Sequence, residues 1–340
     1  MTARRARKSM GAVPISVALG MTRSSVCILG GTGFVGRHLA ARLTQKNFDV
    51  KILTRSRARH YGLLVLPSVT LVEADVHDAA VLKREFAGCD GVINLVGILN
   101  ERGHRGKEFH RVHVELVRKI LDACRTSGVS RLLHMSALNA GEQAPSHYLR
   151  TKGEAAALVL KAADELRVTV FEPSVIFGAD DSFINRFAAL LRKMPGVFPL
   201  ACARAKFAPV YAGDVAEALV RSWDNHASFG RRYSLCGPGT YTLRELVCET
   251  AHVMGLRRAV IGLPAALSWL QAALMEWLPG KPFSLDNYRS LKLDSVCNHD
   301  GFAAFGIEPV SLEAVLPTCL GNRTAQAERE RLRRRHNQAV

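Results

Sequence analysis

The stretch Val26-Cys27-Ile28-Leu29-Gly30-Gly31-Thr32-Gly33-Phe34-Val35-Gly36 decides the fold. Four apolar residues in a row read as a strand buried on both faces. From Val35 to Gln45 the apolar positions recur at the helical period. Between the two lies a G-x-x-G-x-x-G loop at Gly30, Gly33 and Gly36. Gly30 permits the tight turn, Gly33 lets backbone approach a pyrophosphate, and Gly36 lets the helix pack on the strand. The free N–H groups around Thr32, Phe34 and Val35, where the helix begins, then face an anion. A glycine pattern alone is common; the strand before it and the helix after it make this one a dinucleotide loop.

The alternation continues outward from that loop. Strands are expected at Val26–Leu29, Val50–Thr54, Thr70–Glu73, Gly91–Val96, Arg131–Ser136 and Thr169–Glu172. Helices are expected at Val35–Gln45, Ala79–Phe86, His110–Ser127 and Tyr148–Glu165. This is the α/β pattern of a doubly wound parallel sheet covered by helices. From Gly178 the pattern breaks into shorter pieces, with one more strand near Tyr233–Leu235. The domains expected are a dinucleotide-binding unit over 24–177, joined by 205–235 returning to the sheet, and a smaller mixed lobe over 178–204 and 236–320. Basic ends over 1–23 and 321–340 flank them and are expected to be disordered.

The end of the second strand separates two dinucleotides. An NAD site places a carboxylate there for the ribose 2′-hydroxyl. Here the chain reads Leu53-Thr54-Arg55-Ser56-Arg57, with no acid. Two guanidinium groups suit a 2′-phosphate through charge-assisted contacts, so NADP(H) is favoured over NAD(H), Arg55 first and Arg57 second. Asp75 and Val76, after the third strand, are placed to meet the adenine edge; for Asp75 capping of the next turn is the competing role.

Tyr148 and Lys152 lie four apart at the start of an expected helix and project from one face. A tyrosine beside a protonated lysine has its pKa lowered, and so exchanges a proton with a carbonyl or an alcohol. That is the acid–base chemistry that accompanies hydride transfer. The same spacing also occurs on solvated helix faces, and its place after the fifth strand favours the chemical reading.

Gly30–Gly36, Asn94–Gly97, Ser136 and Tyr148…Lys152 together resemble the extended short-chain dehydrogenase/reductases, the Rossmann-type group that includes NAD-dependent epimerases and dehydratases. The chain is closer still to an atypical branch, that of the nucleotide-binding accessory subunit of mitochondrial respiratory complex I and its bacterial relatives. The stretches that carry this are Pro173–Gly178, Ser182–Phe187, Pro209–Ala216, Tyr241–Leu246 and Leu278–Leu285. The resemblance implies that Asn94, Val96, Gly97, Pro173 and Val175 border the dinucleotide. It also implies that Tyr148 is the acid/base, that Lys152 holds the nicotinamide ribose, and that Ser136 polarises a substrate oxygen. Two features depart from the pattern of active members. Tyr148 follows Ser136 by 12 residues, a shorter gap than theirs, and Glu172 stands where an arginine usually precedes the proline.

The net charge of +16 is concentrated at the ends. Residues 1–25 hold five Lys or Arg and no acid; residues 323–340 hold six Arg against two Glu. Basic ends favour an anionic surface, but no helix-turn-helix, zinc finger or aromatic platform accompanies them, so specific nucleic-acid binding is set aside. Eight scattered cysteines without a C-x-x-C read as reduced, mostly buried thiols, neither disulfides nor a metal site. With no convincing secretion signal, the cytoplasm is expected, with the inner membrane surface as a peripheral location. Met21, just before the first strand, is favoured as the true start. No apolar run reaches a membrane span. The nearest, Leu263–Pro279, gathers Ser268, Gln271 and Glu276 on one arc. Burial of the other arc in the protein's own core is favoured over an in-plane membrane or partner-docking helix.

Two functional readings result. In one the chain is an NADP(H)-binding accessory or assembly factor of a respiratory NADH:quinone oxidoreductase or of quinone metabolism. In the other it is an active NAD(P)-dependent reductase, dehydrogenase or epimerase, acting on a small carbonyl, an isoprenoid or a nucleotide-sugar through Tyr148 and Lys152. The first is favoured for the biological role. The oligomeric state is left open.

Overall fold

The computed structural model describes residues 23–278 and 281–320. The start favoured at Met21, most of the basic N-terminal stretch and the basic tail lie outside the described residues. The strands β1 (Ser25–Leu29), β2 (Asp49–Thr54), β3 (Val69–Glu73), β4 (Gly91–Asn94), β5 (Arg131–Met135) and β6 (Arg167–Pro173) follow one another through the first half. Three short strand pairs build the smaller lobe. They are β7 (Ile176–Phe177) with β10 (Val210–Tyr211), β8 (Gly196–Leu200) with β13 (Arg258–Gly262), and β9 (Lys206–Phe207) with β12 (Tyr241–Thr242). Between them β11 (Arg231–Leu235) returns to the first half and pairs with β6. The main sheet is wholly parallel, in the order β11-β6-β5-β4-β1-β2-β3.

Alternation along β1 shows why the strands read as unbroken apolar runs. Val26 and Ile28 face one core, and Cys27 and Leu29 face the other. The helices α1 (Phe34–Gln45) and α7 (Ala212–Arg221) cover the first face through Leu39, Leu43, Val215 and Leu219. The second face takes α2 (Ala79–Phe86), α4 (Leu116–Ser127) and α5 (His147–Lys161). Ahead of α4, α3 (Lys107–His110) passes into it through a π turn, Arg111–Glu115. A parallel sheet needs both faces covered, which this order of helices provides. The lobe adds α6 (Ile184–Lys193), α8 (Leu243–Val253), α9 (Ala265–Met275) and α10 (Leu285–Ser290), around a third core that includes Leu191, Phe198, Leu246 and Val260.

Two expectations are corrected. Cys236, just past β11, and Cys297 form a disulfide, so the thiols are not all free. The two lie 61 residues apart, and the fold brings them together only when β11 docks beside β6. The cysteines therefore no longer argue for a reducing compartment. The second correction concerns α9. It buries Ser268 and Ala272, while Trp269, Leu274 and the following Trp277 are 51%, 65% and 82% exposed. Two residues of the inward polar arc, Ser268 and Glu276, have partners there, whereas the buried Gln271 Oε1 has none among the described residues. Ser268 Oγ accepts from the Cys202 N–H at 3.2 Å, and the Glu276 carboxylate meets His104 at 2.9 Å. Burying one Leu or Trp is worth roughly 2 kcal/mol, so this outward face leaves several such contributions unused. Among the described residues no helix is long and apolar enough to cross a membrane.

Candidate functional site

The strand order reverses between β1 and β4, which opens a crevice at their C-terminal ends. Gly30 turns there with φ +77°, and a Cβ on it would stand 3.0 Å from the Leu95 carbonyl carbon. The Gly33 N–H closes the turn on Gly30 O at 3.0 Å. Gly36 packs against the loop itself: a Cβ there would lie 2.5 Å from Gly31 Cα. Gly33 is exposed, and a Cβ on it would meet nothing nearer than Gly30 O at 3.1 Å. No acid occupies the first turn of α1, and no side chain caps it. Among the described residues the N–H groups of Phe34, Val35 and Gly36 are without acceptors. Thr32 is half-buried at the rim. A cradle of open amides and exposed glycine fits a pyrophosphate.

At the end of β2, Arg55 is exposed and its guanidinium has no partner among the described residues. The Arg57 N–H donates to Glu73 Oε2 at 2.9 Å. A carboxylate therefore stands beside this strand end after all, brought from β3 by the Thr54–Glu73 register. Sequence distance concealed it. Asp75 Oδ1 accepts from the His77 N–H at 2.9 Å, the capping role, and Val76 packs half-buried on the second core. Asn94 is buried: Oδ1 accepts from the Val96 N–H at 3.1 Å, and Nδ2 meets His134 Nδ1 at 3.1 Å. Gly97 is exposed, with the Lys152 ammonium 3.1 Å from where its Cβ would be. Pro173 O accepts from Leu138 N–H, and Val175 O from Val210 N–H. Pro173 thus ties the end of β6 to the loop after β5, and Val175 ties the turn that follows to β10 of the lobe.

Lys152 is 4% exposed and donates to Met135 O at 2.9 Å and Val96 O at 3.5 Å, bridging the ends of β5 and β4. Burial pushes its pKa down to about 8. Ser136 is also buried, and its hydroxyl donates to the Lys152 carbonyl at 3.2 Å. It is turned toward the helix backbone rather than into the crevice. Glu172, in the place of the usual arginine, pairs with Arg232 of β11 at 3.3 Å. Tyr148 packs its ring against Phe109 and His113, at centroid distances of 6.0 and 5.7 Å. Burial raises its phenol to about 12. The expected lowering by Lys152 is absent, because each group responds to its own desolvation.

Residues not anticipated from the sequence hold this corner in place. His113, on the π turn, accepts the Ile98 N–H at Nε2 and meets Thr151 Oγ1 at 2.9 Å through Nδ1. Burial first, then the Lys152 charge, pushes His113 down to about 2 and His134 to about 3, so both are neutral. Their positions on the apolar stripe of the α3–α4 helix and in an apolar strand were the available signals. Beyond Tyr148 the lobe holds a half-open cavity of about 260 Å³. Phe183, Phe187, Phe198, Leu243 and Met275 are among the apolar residues that line it, and Asn100, Ser182, Arg186, Gln271, Asn287 and Ser290 are its polar ones. Among the described residues no cluster of metal-ligating side chains occurs.

The glycine loop at the switch point, the Tyr148–Lys152 pair and the lobe cavity agree with one further observation. Residues 26–236 match the NAD dependent epimerase/dehydratase family. The chain belongs to that family. It is similar to the mitochondrial NADH dehydrogenase [ubiquinone] 1 alpha subcomplex subunit 9 of Arabidopsis thaliana. The two are 30% identical over 277 residues, which cover 79% of this chain and 68% of that one. It is also similar to the ceramide reductase of Caulobacter vibrioides, 30% identical over 71% of this chain and 74% of the other. Among solved structures, MoeE5 in complex with UDP-glucose and NAD aligns with a TM-score of 0.70. It covers 89% of this chain and all of its own, at 20% identity. The family supports a nicotinamide dinucleotide as the ligand of the glycine loop.

Proposed function

We propose that the protein is an NAD(P)(H)-dependent reductase for a carbonyl carried on a long apolar chain. The observation that supports it best is Tyr148, which stands in the wall of the apolar lobe cavity one helical turn from the buried Lys152. Lys152 reaches the ends of β4 and β5, at the end of the sheet where the glycine loop lies.

The open amides of α1 would hold the pyrophosphate, with Gly30, Thr32, Gly33 and Gly36 shaping the cradle. Arg55 and Arg57 would take a 2′-phosphate, which favours NADP(H). Asp75 and Val76 would border the adenine; Asn94, Val96, Gly97, Pro173 and Val175 would border the ribose and nicotinamide. When bound, the dinucleotide supplies a hydride. The raised phenol of Tyr148 stays protonated at neutral pH and is a proton donor to the substrate oxygen. Lys152 holds the floor through Met135 O and Val96 O, and its remaining N–H faces Gly97. Polarisation of the substrate then rests on Tyr148, since Ser136 is committed to the Lys152 carbonyl. The lining surface is mainly apolar, which excludes water and suits an apolar chain.

A second reading, an accessory or assembly factor of a membrane respiratory complex, is favoured by the turned-away Ser136 and by the named role of the Arabidopsis relative. One experiment separates them. The purified protein is assayed for oxidation of NADPH and NADH with long-chain ketones and isoprenoid quinones, beside Tyr148→Phe. Turnover that falls by about a hundredfold or more in the variant, with dinucleotide affinity kept, supports the reductase. A tightly held dinucleotide with no turnover on any of these, together with co-purifying respiratory subunits, overturns it.

A further inference from the structure

Helix α9 is built inside out. Its inner arc carries Ser268 on the Cys202 amide, and Gln271 and Met275 in the cavity wall. Its outer arc carries Leu267, Leu270, Leu274 and, past the helix end, Trp277 and Leu278, all exposed, with Trp269 at the edge. An exposed apolar patch of this extent marks a surface made to be covered.

The charges around it indicate what covers it. The loop 102–105 is pinned by Glu101, whose Oε1 accepts from the Gly106 N–H at 2.6 Å. That loop lies against the end of the patch: His104 stacks 5.7 Å from Trp277, and Lys281 Nζ donates to Gly103 O at 2.7 Å. Arg102 and Arg105 project from it, exposed. At the start of α9, the turn that holds Ser268 carries exposed Arg204. Among the described residues none of these three guanidinium groups meets a carboxylate. An apolar strip with unpaired cations at both ends, and indole rings between strip and rim, complements an anionic lipid surface. Acyl chains take the leucines, headgroup phosphates take the arginines, and the indoles lie at the boundary.

We propose that α9 lies in the plane of an anionic phospholipid bilayer, with Trp269 and Trp277 at headgroup depth and Arg102, Arg105 and Arg204 on the phosphates. The cavity then opens behind the same helix that touches the bilayer, within reach of a ligand with a long apolar chain. The docking does not depend on turnover, so its failure would leave the reductase reading standing.

The tryptophans supply the test. The chain has three, and Trp223 is buried in the sheet's core, so a change in emission on binding reports Trp269 and Trp277. Full-length protein is mixed with vesicles of phosphatidylcholine alone or with phosphatidylglycerol, each with and without acyl-chain bromination. The expected result is a blue shift and bromine quenching with the anionic vesicles. Leu270→Glu combined with Leu274→Glu should weaken partitioning about tenfold or more, with an unchanged thermal transition. Arg105→Glu should weaken it about threefold. Co-sedimentation without quenching would assign the attraction to the basic ends and overturn the proposal. So would no binding, or a concentration-dependent dimer that Leu274→Glu dissolves.

Discussion

The carboxylate of Asp286 accepts the backbone N–H groups of both His147 and Tyr148, at 2.7 and 3.1 Å. These are the first two amides of α5, which have no acceptor within the helix. Ser146 caps the next through Leu149 N–H, and its hydroxyl in turn meets Ser290 Oγ at 2.8 Å. A short helix of the lobe thus closes the helix that carries the candidate acid. Its negative charge also complements the positive end of α5. Replacing Asp286 by Ala should cost about 1–2 kcal/mol in urea unfolding. It should also lower kcat more than dinucleotide affinity, because it frees Tyr148 and leaves the glycine loop untouched. An unchanged unfolding midpoint would show that the cap contributes nothing.

Lys152, which has carbonyl partners and no carboxylate, makes stability depend on pH in the direction opposite to that of a salt-bridged lysine. Burial holds its folded pKa near 8, below the ordinary 10.5. Between those values the unfolded chain binds the extra proton, so stability rises with pH across the window. Below pH 8 both states carry the charge, and its burial is a constant penalty. The shift corresponds to roughly 3 kcal/mol at most. The stability of the native chain minus that of Lys152→Met should therefore increase by an amount of this order from pH 7.5 to 10. Subtraction removes the titration common to both proteins. A flat difference would mean that Lys152 keeps its charge in the folded state.

Much of the nucleotide half was legible in the sequence because its signals are local. Val26–Leu29 must be buried on both faces to be that apolar, and Gly36 has no room for a side chain beside Gly31. What escaped notice was set by tertiary pairing. Glu73 reaches the end of β2 through strand register, and Asp286 reaches α5 across 139 residues. Periodicity separates the polar from the apolar arc of α9 but does not say which arc faces in. Hydrogen bonds to Ser268 and Glu276 decided that. Tyr148 and Lys152 were visible as a spacing, whereas their opposite pKa shifts arise from burial, which spacing does not encode.

In the proposed binding mode Arg55 and Glu73 would make opposite demands on the adenosine ribose. The guanidinium favours a 2′-phosphate, and the carboxylate favours a free 2′-hydroxyl. Glu73 is already engaged by the Arg57 N–H, whereas the Arg55 side chain has no partner among the described residues. Arg55→Ala should therefore weaken NADP(H) by about ten- to a hundredfold and leave NAD(H) nearly unchanged, as read by titration calorimetry. Equal affinities before and after the substitution would assign selectivity to Glu73 and remove the case for NADP(H).

The Cys236–Cys297 bond closes a loop of 61 residues that contains most of the lobe beyond β11. The strand end and the segment it joins are held without it as well. Ser295 O accepts from Ser174 Oγ and the Ala208 N–H, and the Gly301 N–H donates to Ser234 O. Reduction should therefore leave the native contacts in place and act on the unfolded chain by restoring its freedom. For a loop of this length the loss is about 4 kcal/mol, to be read as a fall in urea midpoint on adding reductant. Cys297→Ser should show the same fall and no further response to reductant. Alkylation of the denatured chain counts the bond directly: six of the eight cysteines should react before reduction, and all eight after it. Eight reactive thiols without reductant would refute the pairing and restore the reading of a fully reduced chain.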